Sequence, residues 1–414
     1  MTKSLGLLWL VVFISLAGFG ITTIPFPIVV EQMGASDFWK TFGGAGVFSL
    51  FQLVATPFWG RCSDAWGRKP ILVFSLAGSV LAYLWLAYAP SLESLLVSRA
   101  FGGIMSGNLA AAFAYATDVT EPKDRAKGLG IVASAFGVGF AIGPALGGFL
   151  GTIGGEASLH WPGLASAALS LLALVGTMIW LPESLPESLR RPFGRASQAG
   201  QPTNSSLGED AGQTSEQAPT KKKSMFDTLF SRPVLLGLVG TSLIVAVAAG
   251  TMQSVYQFWA RDLFGYSLVE VGLHFTVFAL LSAVGQAGLI GPLTRRFGER
   301  PIAIASVIGV VIGLVLFATA VNPLMVWLAI GVFGLANGLY LPAISSLVSF
   351  EADPRSRGSV MGAFNASSSA GRIIGPALSG PVYFKLGPAA PFVMSAGLTA
   401  LGAILLVVAR AKSR

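Results

Sequence analysis

Charged side chains are scarce in this chain, and the few that lie within or beside its long apolar runs are where chemistry would occur. The segment Gly60-Arg61-Cys62-Ser63-Asp64-Ala65-Trp66-Gly67-Arg68-Lys69-Pro70 sets a carboxylate four residues before a guanidinium, between two apolar stretches. Opposite charges placed this way suit a latch between helix ends that protonating the carboxylate would weaken, and a loop that only sets topology is the alternative. Arg99 and Arg372 fall inside apolar stretches, where a cation must face protein, water or a counter-charge. His274 lies one turn into another such stretch, as either a proton carrier or a packed, hydrogen-bonded group. Other chemistries are closed. The lone Cys62 excludes an internal disulfide, and His160 and His274 cannot make a metal site with the usual ligand spacing. There is no GxxxxGK[ST] run to cradle ATP, and no set of nucleophile, base and metal for an enzyme. Energy for uphill work must come from an ion or solute gradient.

The elements that carry these residues are set by composition. Hydrophobic residues make up 53% of the chain, charged residues only 11%, and mean hydropathy is +0.70. That charge content is about half that of a soluble domain, so the chain belongs in a lipid bilayer. Apolar windows of ~20 residues, the length that crosses the hydrocarbon as a helix, recur about twelve times. They cover 6–29, 40–59, 70–89, 93–117, 128–152, 161–181, 233–256, 269–290, 301–320, 325–348, 359–383 and 388–409. The first has no small-x-small cleavage site and is followed by further spans, so it reads as a helix, not a signal peptide. With both termini cytoplasmic, most of the 27 Lys and Arg residues fall inside, leaving Lys40, Arg261 and Lys385 outside. The net charge of +8 is then a topology signal, with no nucleic-acid partner implied.

A repeat orders the spans. Gly60, Gly67 and Pro70 return as Gly291, Gly298 and Pro301 at one constant offset, as do Gly103 and Gly107 as Gly334 and Gly338. One residue further on, Arg125, Gly130, Gly143, Pro144 and Gly148 match Arg357, Gly362, Gly375, Pro376 and Gly380. The expectation is an all-α membrane protein of about twelve transmembrane helices in two six-helix, pseudo-symmetric halves, 1–189 and 226–414. A Ser-, Gly- and Lys-rich stretch, 190–225, reads as a flexible cytoplasmic linker. The 51 glycines cluster in the spans, where small residues let helices approach closely, most densely from Gly137 through Gly139, Gly143, Pro144 and Gly147 to Gly148. Two such helices in equivalent places suit halves that rock on each other; static packing is the alternative.

These residues resemble the major facilitator superfamily. Gly60-x-x-x-Asp64-x-x-Gly67-Arg68-Lys69 is similar to its signature loop between the second and third helices, and Arg99-Ala-Phe-Gly102-Gly103 to its fourth-helix basic motif. Gly139, Gly143, Pro144, Gly147 and Gly148 resemble the fifth-helix motif of drug/proton antiporters. The segments Asp118 to Gly130, with Arg125, and Leu181 to Leu185 are similar to loops of tetracycline/proton antiporters. The resemblance implies the major facilitator fold, usually monomeric, with a cytoplasmic charge cluster of Asp64, Arg68 and Asp118 that also contacts the eleventh helix near Gly362. It implies a coupling role for Arg99, and a proton gradient as energy source.

One departure stands out: Leu16 occupies the place of the first-helix aspartate of tetracycline exporters. Proton-carrying candidates are therefore Asp64, Asp118, Glu31 and Glu270 at span ends, with His274. In the resembled fold the first, fourth, seventh and tenth helices line the cavity. They offer Phe19, Thr22, Thr23 and Phe26; Asn108 and Tyr115; Met252, Gln253, Tyr256 and Gln257; and Asn337 and Tyr340; Arg372 is a further candidate. Aromatic, Met and amide groups suit a small amphipathic substrate that is lipophilic and neutral or weakly cationic, and equally suit helix interfaces. The expected function is export of such a compound for protons, by alternating access, across the plasma membrane. A facilitator or symporter of another small solute is the alternative, and a transport-dead membrane sensor a more distant one.

Overall fold

The computed structural model describes residues 3–121, 124–190, 232–353 and 356–408; the expected linker 190–225 lies outside these, apart from Arg190. Ten helices among the described residues are long and apolar enough to cross a bilayer. In chain order they are α1 (Ser4–Gln32), α2 (Asp37–Trp66), α3 (Arg68–Ala87), α5 (Gly128–Leu150), α6 (His160–Trp180), α7 (Pro233–Phe264), α8 (Leu268–Phe297), α9 (Glu299–Thr319), α10 (Pro323–Glu351) and α12 (Ala390–Val408). Two more complete the two sets of six. α4 runs through Leu92–Met105 and Leu109–Asp118 with a 3₁₀ turn, Ser106–Asn108, between them, and α11 is the 30-residue helix Arg357–Leu386. Both fall short on length or apolarity because of the features that make them interesting: a broken backbone in α4, and Ser, Gly, Arg372 and Lys385 in α11. Neither deficit prevents crossing, since a helix satisfies its own backbone and neighbours cover the rest.

Helix ends follow local chemistry. Ser91 caps α4 by accepting from the Ser94 amide, Asn322 caps α10 through Met325, and Ser267 opens α8 with a reciprocal capping box to Glu270. The second helix of each half contains a π-helical segment, Phe42–Gly46 in α2 and Val284–Leu289 in α8. Such turns loosen the i→i−4 ladder and mark places where a helix can bend.

Within each half, glycine sets the closest approach. An added Cβ at Gly143 on α5 would sit 2.8 Å from the Ala17 carbonyl of α1, and one at Gly375 on α11 would sit 2.5 Å from the Val247 carbonyl of α7. Between the halves the repeat partners Gly148 and Gly380 do the same: Gly148 lies against the Leu268 carbonyl of α8 and Gly380 against the Asp37 carbonyl of α2. The repeat read in the sequence is thus a repeat of contacts, in which one face of α5 or α11 holds its own half and the other meets the opposite half.

Candidate functional site

The polar contacts that join the halves gather at one end of the bundle. Thr41 Oγ1 donates to the Pro376 carbonyl at 2.8 Å, and Thr276 Oγ1 to the Ala141 carbonyl at 2.6 Å. The Arg261 guanidinium donates to both oxygens of Glu31. Lys40 adds charge there, bonding Asp37 at 3.1 Å while its Nζ sits 4.1 Å over the Phe384 ring. Toward the other end, where Asp64 lies, Gly130 and Gly137 on α5, Gly291 on α8 and Gly362 on α11 face open space. Glycines at the Glu31 end, such as Gly154 and Gly265, have equally open surroundings. What separates the ends is that the described hydrogen bonds between the halves lie at the Glu31 end, so the bundle is held shut there and is read as open at the Asp64 end.

The open end carries the expected charge cluster, assembled within one half. Arg68 NH1 donates to Asp64 Oδ1 at 2.6 Å and to Ser63 Oγ at 2.7 Å, and its Nε donates to Asp118 Oδ2 at 3.2 Å. The α2 end, the α3 start and the α4 end are tied through one guanidinium that is 8% exposed. Gly60, Gly67 and Lys69 belong to this corner, and Lys69 Nζ reaches the Met178 carbonyl of α6 at 2.9 Å. The side chain of Arg125 lies outside the description, and Gly362 of α11 does not touch the cluster, having nothing near it.

A fourth member was not singled out from sequence. Glu183 Oε1 accepts from the Arg68 amide at 2.9 Å and Oε2 from the Lys69 amide at 3.1 Å, so this carboxylate caps the N-terminus of α3. The signal was the Pro182-Glu183-Ser184 run directly after α6, but a partner more than a hundred residues away in sequence cannot be read from it.

Near the closed end, Arg99 lies between the halves. It is 4% exposed, donates from NH2 to the Thr22 carbonyl at 3.3 Å, and stacks 4.7 Å above the Phe26 ring. It points into the protein and does not reach toward the membrane surface. No ion pair involves it among the described residues, and its Nε has no partner. It borders a small void lined also by Phe19, Thr23, Pro27, Thr41, Gln253, Ser254 and Gln257. Gln257 Nε2 donates to the Ser254 carbonyl at 3.1 Å, while its Oε1 is buried and unpaired.

Of the expected cavity residues, Phe26 sits beneath Arg99, and Gln253 and Gln257 line the void. Thr22 turns its hydroxyl onto its own helix, to Gly18 and Phe19. Three tyrosines are placed differently from the expectation. Tyr115 is wholly buried in the first half and donates to the Pro182 carbonyl at 2.9 Å. Tyr256 is wholly buried in the second, 2.8 Å from His274 Nδ1, and Tyr340 packs in a core with Ala343, Ile344 and Phe364. Their rings are large enough that burial outweighs exposing them in a polar path. Met252 likewise joins the second half's core. His274 is held by Tyr256, Tyr266 and Trp327 rings, which is the packed, hydrogen-bonded arrangement. Glu270 is engaged as the α8 cap. Asn337 is half-buried on α10, Arg372 is exposed and donates to Ser369 Oγ at 3.1 Å, and the side chain of Asn108 lies outside the description. Leu16 packs against the first half's core.

Sequence comparison adds to this geometry. The chain matches the family described as Major Facilitator Superfamily over residues 8–365 and 258–414. It is 30% identical over 373 residues to the tetracycline resistance protein, class C, of Escherichia coli, spanning 88% of this chain and 86% of that one. It is also 30% identical over 369 residues to major facilitator superfamily domain-containing protein 10 of Bos taurus, spanning 86% and 76%. Among solved structures, the human organic anion transporter MFSD10 superposes with a TM-score of 0.69 at 22% identity, covering 97% of this chain and 98% of that one. The nucleoside transporter NupG superposes at 0.76 with 15% identity, covering 99% of each, so the fold is shared well beyond recognisable sequence.

Proposed function

The chain belongs to the major facilitator superfamily of transporters, and we propose that it exports a small amphipathic compound across the plasma membrane in exchange for protons. It is a multi-pass membrane transporter and not an enzyme. In our reading both termini are cytoplasmic, so the Glu31 end faces outward and the Asp64 end faces the cytoplasm. The bundle then stands open inward, ready to load substrate from the cell. The observation that carries the reading is the asymmetry of the polar contacts: the outer end is bridged from half to half, while the Arg68 cluster is complete within one half and, among the described residues, meets no partner across the opening.

Alternating access follows from that asymmetry. Closing the cytoplasmic end brings α11 toward the Asp64–Arg68–Asp118 corner and requires breaking the Arg261–Glu31 and Thr41–Pro376 contacts. Each closed state is held by contacts the other lacks, so the halves rock between two packings and do not open freely. Protonating a carboxylate at either corner shifts the balance. The likeness to tetracycline resistance proteins supports outward transport of a drug-like compound.

A second reading is a carrier of another small solute that uses no proton exchange. Leu16 at the first-helix position and the likeness to MFSD10, named an organic anion transporter, favour it. The test is accumulation of tetracycline and lipophilic dyes in efflux-deficient cells expressing the chain or its Asp64→Asn variant, with and without a protonophore. Lower accumulation that needs both Asp64 and the gradient supports proton-driven export. Export that survives the protonophore moves the assignment to the second reading.

A further inference from the structure

We propose that Arg99 and Gln257 form a substrate subsite for compounds that carry an anionic oxygen beside an N–H or O–H donor. The proposal rests on the reading that the space between the halves is the transport path. Arg99 on α4 is 4% exposed and Gln257 on α7 is 2% exposed, and each keeps one side-chain atom without a partner. The two atoms are of opposite kind: Arg99 Nε is a donor and Gln257 Oε1 an acceptor. Both side chains border the same void, which Thr23, Thr41 and Ser254 make polar.

Leaving such atoms unpaired is costly, more so for a charged group, and a bound molecule is one way to satisfy them. What sets Arg99 and Gln257 apart from the other unpaired buried atoms, such as Tyr340 OH in the core, is that they are of opposite kind and border one void between the halves. The rest of the Arg99 side chain is fixed, with NH2 on the Thr22 carbonyl and the ring of Phe26 under the guanidinium plane. That anchoring presents a preorganised cation without a counter-charge, since Arg99 makes no ion pair among the described residues. A cationic ligand meets like charge there, and a purely apolar one leaves both atoms unpaired. Once the void widens to admit it, a molecule placing an anionic oxygen on Nε and a donor on Oε1 would satisfy both, through charge-assisted bonding on one side. The two residues come from opposite halves, so one bound molecule bridges them.

The test compares two dyes on one aromatic frame: 8-anilinonaphthalene-1-sulfonate, whose anion lies beside an anilino N–H, and N-phenyl-1-naphthylamine, which lacks the sulfonate. Uptake is measured into everted membrane vesicles of efflux-deficient cells, acidified inside, against vesicles without the chain. The expected result is faster uptake of the sulfonate than of the amine. Arg99→Gln lowers sulfonate uptake about tenfold more than it lowers amine uptake, whatever the loss common to both, while Gln257→Leu slows both about threefold, because both carry the N–H. Arg99→Lys, which keeps the charge and removes the planar fork, falls between and decides the matter if Arg99→Gln does not reach the membrane. Equal handling of the two dyes, an equal loss of both in Arg99→Gln, or no uptake of either overturns the subsite. Tetracycline uptake by vesicles carrying the parent chain reports separately on the export reading.

Discussion

Gly67 lies directly beneath the carboxylate of Glu183: a Cβ added to Gly67 would fall 2.5 Å from Oε2, and the glycine itself has φ +106°. The loop glycine is therefore required twice, once for a backbone angle that L side chains rarely adopt and once for room under an anion that caps α3. The repeat partner Gly298 shares the positive φ, at +82°, but nothing presses on it more closely than Pro301 at 3.9 Å. Both halves thus share the turn, and among the described residues only the first has the clamp.

Gly67→Ala is expected to destabilise the purified protein by about 2–4 kcal/mol, combining backbone strain of ~1–3 kcal/mol with loss of the cap. Glu183→Ala removes the crowding but not the strain, so the double variant should lose less than the sum of the singles. Thermal unfolding of the four proteins measures this. Strict additivity would show that the contact between Gly67 and Glu183 carries no energy of its own.

Asp64→Asn should leave the protein folded and inserted. The Asp64 side chain is 49% exposed, Arg68 keeps Asp118 at 3.2 Å and Ser63 at 2.7 Å, and a pair this exposed contributes about 0.2–1 kcal/mol. Transport should nonetheless fall to background, because the cytoplasmic closure loses one of its charges. Unfolding temperature and transport measured on the same preparation separate the two effects; a variant that transports normally removes Asp64 from the gate.

Charges were the legible part of this site. Asp64, Arg68 and Asp118 stand out because an apolar chain cannot carry charge without a partner, and their positions at span ends put them within reach of one another. The glycine repeat was legible for the same kind of reason, since Gly143 with Gly375 and Gly148 with Gly380 meet backbone where no side chain fits. The wet face of each helix was not. Tyr115, Tyr256 and Gln257 have the same residue chemistry whether they face a core or a path, and only packing shows that the tyrosines are core and the glutamine borders the void. Glu183 escaped because its partners lie far away along the chain.

Glu31→Gln should shift the balance away from the state seen here. The Arg261–Glu31 pair joins the halves at side-chain exposures of 40% and 26%, so its contribution is reduced by solvent to about 0.5–1 kcal/mol, a two- to fivefold change in population. Ala45 lines the void behind this contact, and the native Cys62 is buried. Labelling of Ala45→Cys by an impermeant maleimide from outside should accelerate by that factor in Glu31→Gln, and the gain should shrink at high salt. Unchanged labelling would mean that Thr41, Thr276 and the glycine contacts alone hold the outer end.

Gly148→Ala and Gly380→Ala test the closure most sharply, because they alter the contact between halves without removing any polar group. At Gly148 the new methyl would lie 2.2 Å from the Leu268 carbonyl, and at Gly380 2.2 Å from the Asp37 carbonyl, both backbone atoms that cannot swing aside. Each substitution must push the halves apart at the Glu31 end, so both should raise outside labelling of Ala45→Cys and abolish transport while leaving each six-helix half folded. Gly137→Ala is the control on the same helix as Gly148, since nothing lies within 4 Å of its added methyl in this state. It should label as the parent does, and any loss of transport there would report a clash that forms only when the Asp64 end closes. A labelling increase at Gly148 and Gly380 together with parent-like labelling at Gly137 would locate the outer gate on the two repeat-related glycines. Equal behaviour of all three would place the gate elsewhere.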